Sequence, residues 1–187
     1  MFTRQSPAAL AEQIAQRSAL SPEFWLFNSP ATPKEIKRLE ARLGRALPEP
    51  LAHSLSKSNG GFASPEGKIG IDSLCEIGEA RDRANRFLSC DEIGGAYRAL
   101  LAAHPSGEPS EFPFIPFMRQ AEGGLLTINA EDPLSAVWHA WTPDGPHLWR
   151  RLYPCFGDLL AHYLEREGAI RAEPYDDEPL AASAPAL

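Results

Sequence analysis

His139, Asp144 and His147 lie close together in the chain, and two imidazoles beside a carboxylate are the raw material of acid–base catalysis or of a metal site. The alternation through Ala136 to Trp141 and the turn Pro143-Asp144-Gly145-Pro146 place His139 and His147 on different strands. No third ligand stands at a useful spacing, so neither chemistry is favoured. Cys155 and His162 supply a thiol and an imidazole, but an i, i+7 spacing across a helix start does not hold them together, and nothing nearby activates the thiol. The glycine pairs at 60–61, 94–95 and 123–124 lack both the G-x-G-x-x-G and the G-x-x-x-x-G-K-[ST] patterns and read as turns. Neither H-E-x-x-H nor G-x-S-x-G occurs. The expectation is no enzyme, no metal and no cofactor.

What remains are residues suited to holding a protein. Trp138, Trp141, Trp149 and Tyr153 cluster near the C-terminal end. Alternation sets Trp138 on the sheet face opposite Trp141. One face must lie under helices, which leaves one tryptophan as a candidate partner anchor. Glu131, Asp132 and Asp144 border the same strands through their turns, and Asp72, Glu76, Glu79 and Asp82 form a second acidic stretch. Turn chemistry accounts for each of the first three singly, and a helix N-terminus competes for the second group. Taken together beside aromatic surface, these acids suit a basic partner.

Composition narrows the classes. At 187 residues, with 43% hydrophobic and 23% charged residues, the chain fits one soluble globular domain. A formal net charge of −7 argues against direct nucleic-acid binding, which relies on clustered Lys and Arg. No apolar run approaches the length of a membrane span, and Met1 to Pro7 lacks the pattern of a signal peptide, so the cytoplasm is the expected compartment. Three separated cysteines, Cys75, Cys90 and Cys155, support neither a disulfide framework nor a zinc knuckle.

The elements that position these residues follow from spacing. Pro7 to Arg17 reads as a helix, and Ser21-Pro22 opens a short turn whose Phe24, Trp25 and Phe27 form a lid on the core, the alternative being an exposed partner patch. Thr32, Pro33 and Glu35 give a capping box with proline at the first helical position. Ile36, Leu39 and Leu43 then share a face, and Gly44 ends the helix. A second short helix carries Leu51 and Leu55 to Asn59-Gly60-Gly61. Lys68 to Ile71 reads as a strand, Leu74 to Leu88 as helical, and a further helix begins at Asp91 or a neighbour and ends near His104-Pro105. Strands are expected at Phe114 to Met118, Leu125 to Asn129, Ala136 to Trp141 and Leu148 to Leu152, in an antiparallel meander. Pro113 and Pro116 mark the first of these as an edge or a bulge. Phe156 to Arg166 is a closing helix, followed by an acidic tail from Arg171.

Within this order, A-T-x-x-E-I-x-x-L-E-x-x-L-G-x-x-L-P, then a short helix and N-G-G-F, resembles the opening of the SUKH superfamily. Phe112 to Phe117 followed by Gly123 to Asn129 is similar to that family's central strands. The family includes bacterial immunity proteins and the yeast regulators of glucan synthesis. The resemblance implies a SUKH-like α+β fold: an antiparallel-rich sheet with helices packed on one face. The expected division is a helical extension over 1–30, the domain over 31–168 and an acidic tail over 169–187. By the same resemblance the chain is a non-catalytic immunity protein that occludes a cognate toxin encoded by the adjacent gene. A nuclease is the favoured toxin, since an acidic inhibitor complements a basic groove. The alternative is a scaffolding module of the glucan-regulator type with endogenous partners.

Overall fold

The computed structural model describes residues 5–64, 77, 81–104, 107–121, 123–140 and 149–170. Helix α1 (Pro7–Leu20) starts on Ser6, whose hydroxyl accepts the Ala9 N–H, and buries Leu10, Ala11 and Ile14. Helix α2 (Pro33–Leu43) has the expected capping box. Glu35 N–H donates to the Thr32 hydroxyl at 3.3 Å, while the Glu35 carboxylate accepts the Thr32 N–H at 2.8 Å. Gly44 ends α2 at φ 69°, the left-handed conformation an L side chain resists. Helix α3 (Glu49–Lys57) buries Leu51 and Leu55.

Among the described residues, seven strands form one antiparallel sheet whose spatial order follows the chain: β1 (Trp25–Phe27), β2 (Gly61–Ala63), β3 (Arg86–Phe87), β4 (Phe114–Arg119), β5 (Leu125–Asn129), β6 (Val137–Ala140) and β7 (Arg150–Tyr153). Helix α4 (Cys90–Ala103) lies between β3 and β4 in the chain, and α5 (Phe156–Glu165) follows β7. The α+β class and the meander are as expected, with more strands than the alternation revealed. Phe24, Trp25 and Phe27 pack against the core as expected, but Trp25–Phe27 do so as a strand, with Leu26 and Phe62 opposed in register. Arg86–Phe87 pair with both β2 and β4, so the helical spacing read through Leu88 breaks off before them. Pro116 in β4 marks a bulge and not an edge: β4 lies between β3 and β5, and its register slips between Pro116 and Met118. The strand expected over Lys68 to Ile71, Cys75 and the tail from Arg171 lie outside the described residues.

Residues opposed in register share a face. Phe87, Met118 and Leu126 form one row, and Ile115, Ile128, Val137 and Tyr153 another, all buried. Helix α5 covers this face: Phe156 meets Phe117 edge-on at 5.1 Å, and Tyr163 meets Phe87 at 5.0 Å and Trp25 at 6.1 Å. Helix α1 packs on α3 and α5, and Arg17 ties its end down by donating to the Leu164 carbonyl at 2.9 Å and lying over the Trp25 ring. Helix α4 joins α2 to β4. Its Tyr97 is buried and donates to the Phe112 carbonyl at 3.1 Å.

Candidate partner-binding surface

The turn between β5 and β6 carries two of the predicted acids and is built from their own side chains. Asn129 accepts the Glu131 N–H at 2.9 Å. Asp132 accepts from Leu134 N–H with one oxygen at 2.9 Å and from Ala136 N–H with the other at 3.0 Å. Ser135 closes the turn at φ 54°, donating its N–H to the Asp132 carbonyl at 2.8 Å. Both oxygens of Asp132 are therefore committed to the backbone, and the residue is half-buried. Glu131 projects outward with its side chain 65% exposed.

Arg45 links this turn to the helix pair. The left-handed Gly44 directs the chain so that Arg45 reaches Glu131 at 3.5 Å and donates to the Pro109 and Ser110 carbonyls at 2.7 and 3.2 Å. The ion pair is solvent-facing and weak by itself. Its value lies in holding the turn against the 3-10 segment Pro109–Glu111. Leu134, at the tip, is 67% exposed. The result is a braced turn that presents the exposed Glu131 carboxylate, paired with Arg45, and the Leu134 isobutyl group.

The tryptophans lie differently. Trp138 is 7% exposed, in the cross-strand row Thr127–Trp138–Arg151. Trp149 is buried edge-on to Phe114 at 5.1 Å and to Phe112 at 6.1 Å, and Tyr153 meets His162 at 5.7 Å. Asp82 is exposed within the helical residues 81–83, separated from the β5–β6 turn by several strands. Asp72, Glu76, Glu79, Trp141 and Asp144 lie outside the described residues, as does His147. The structure thus joins Glu131 and Asp132 in one surface and does not bring Asp82 to them. Leu134 and Arg45 went unread. The signal for Leu134 was present, a large apolar residue inside the turn sequence Asp132-Pro133-Leu134-Ser135.

Among the described residues no group of three or more His, Cys, Asp or Glu could hold a metal ion, and no helix is long and apolar enough to cross a membrane. Burial pulls the His139 pKa down. Burial, with Glu35 and Asp91 nearby, pushes the Cys90 thiol up to about 11, which leaves it protonated and unreactive at neutral pH.

The profile of the SMI1 / KNR4 family (SUKH-1) matches residues 30–162, from just before the capping box of α2 into α5. The chain belongs to the SMI1/KNR4 (SUKH-1) family. No curated protein matches it. Membership in SUKH-1 supports a protein-interaction domain of the immunity or regulator type, and the geometry above contains a surface suited to that role.

Proposed function

We propose that this protein is an immunity factor that binds a cognate toxin domain one-to-one in the cytoplasm and blocks the toxin's active or substrate-binding surface. Family membership supports the class of activity. The observation that carries the mechanism is the self-braced β5–β6 turn, where Glu131 and Leu134 stand exposed on a backbone that needs no reordering to bind. A net charge of −7 favours encounter with a basic partner, and a nuclease with a basic nucleic-acid groove is the partner class this suits best.

The test is calorimetry with the C-terminal domain of the polypeptide encoded next to this gene, at two salt concentrations. Nanomolar one-to-one binding that weakens with salt is expected. Tight binding that ignores salt would retain immunity but remove the acidic surface from its mechanism. Absence of binding would favour an endogenous regulatory partner, the other role found in the family.

A further inference from the structure

The Glu131 carboxylate is held by one long contact. Its Oε1 lies 3.5 Å from Arg45 Nη1, at the far limit of a hydrogen bond, and its Oε2 accepts nothing from the described residues. No bond that shapes the turn uses this carboxylate. The side chains of Asn129 and Asp132 accept the Glu131, Leu134 and Ala136 N–H groups, and the Asp132 carbonyl accepts the N–H of Ser135.

Arg45, on the other side of the contact, is anchored elsewhere. Its Nη2 donates to the Pro109 carbonyl at 2.7 Å and to the Ser110 carbonyl at 3.2 Å, and its side chain is 16% exposed. Glu131 supplies the longest of these three contacts. The ion pair can therefore open without releasing Arg45 from the 3-10 segment or the Glu131 backbone from its turn. Before binding, the pair orients a carboxylate that still has an oxygen to offer.

We propose that the toxin supplies an arginine whose guanidinium takes both oxygens of Glu131 and displaces the Arg45 contact, while an apolar hollow beside that arginine receives Leu134. This rests on the toxin reading above and names the chemistry of the partner at its contact. A guanidinium fork bonds both oxygens of a carboxylate at once, whereas an ammonium approaches as a point charge. Leu134, exposed three residues further along the turn, supplies the apolar neighbour that keeps water from such a pair. A pair shielded in this way is stronger than the solvent-facing one it replaces.

The test compares Glu131→Gln with Glu111→Gln in the whole chain, binding the same toxin domain as above, by surface plasmon resonance. Glu111 is exposed and follows Ser110 in the 3-10 segment, so both variants remove one carboxylate from the same region. Glu131→Gln should weaken binding roughly tenfold or more through faster dissociation, the mark of a direct contact. Glu111→Gln should weaken it less than about threefold, through slower association, the mark of charge steering alone. Among arginine-to-lysine variants of the toxin, one should lose most of its effect when paired with Glu131→Gln. Glu131→Gln should unfold at the urea midpoint of the parent, and a clearly lower midpoint would make the residue structural and overturn the proposal. Equal effects of the two glutamine variants, or no toxin arginine coupled to Glu131, would overturn it while leaving the immunity role standing. A parent chain that does not bind the domain would overturn both.

Discussion

The Tyr163 hydroxyl accepts the Ala63 N–H at 2.8 Å and donates to the Asn85 carbonyl at 3.0 Å, with the residue wholly buried. Burial pushes its pKa up, so it stays a neutral donor. Tyr163→Phe keeps the ring against Phe87 but strands the Ala63 N–H. It should cost about 1–3 kcal/mol in urea unfolding. Glu92 shows a different balance. Burial raises its pKa, but the Ser89 N–H and hydroxyl and the Arg86 guanidinium more than offset this, and the net shift is downward from 4.5. A carboxylate with a depressed folded pKa contributes stability that is present above its unfolded value and lost as pH falls through the folded one. Unfolding midpoints measured from pH 6 down to 3 should therefore fall less steeply in Glu92→Gln than in the parent, the two curves converging below about pH 4.5. Equal slopes would mean that Glu92 titrates alike in the folded and unfolded chain.

Whole elements depend on a few such positions. Gly61 in β2 has φ 135°, and a Cβ there would lie 2.5 Å from both the Leu26 carbonyl oxygen and the Phe27 Cα. Neither obstacle is a movable side chain. Gly61→Ala should separate β1 from β2 at a cost of roughly 2–3 kcal/mol, seen as lost amide protection at Leu26 and Phe62. Ser89 caps α4 in a second box with Glu92, and Ser89→Ala should lower stability by about 1 kcal/mol. Legibility at this scale tracked length and local chemistry. The box of Thr32 and Glu35, the stop at Gly44 and the bulge at Pro116 were readable because each depends on neighbours in the chain. The box of Ser89 and Glu92 is equally local, and the observed start of α4 at Cys90 agrees with a start at Asp91 or a neighbour. Arg86–Phe87 and Trp25–Phe27 were not readable as strands, since two or three residues hold too little alternation and both exist through partners far away in the chain. The aromatic residues illustrate the same limit: alternation separates Trp138 from Trp141 but does not say which side of the sheet is covered.

For the molecule as a whole, the β5–β6 turn, with Glu131 exposed beside its Arg45 partner, is the surface on which the proposed role rests. Leu134→Ser removes an exposed group and should move the unfolding free energy by no more than about 0.5 kcal/mol. In the proposed toxin complex the same change should weaken binding tenfold or more, a loss of about 1.4 kcal/mol, by calorimetry. An unchanged affinity would move the contact surface away from the turn. The strand order has a further consequence during synthesis. Each strand finds its neighbour soon after leaving the ribosome, because spatial and chain order coincide. Helix α1 must wait, since Arg17 closes onto Leu164 across 147 residues. At roughly 5–20 residues per second that interval is on the order of 7–30 s, during which Leu10, Ala11 and Ile14 lack part of their final cover. The nascent chain should therefore be most open to chaperone capture at its first helix, and the docking of α1 onto α5 should be among the last steps to complete the fold.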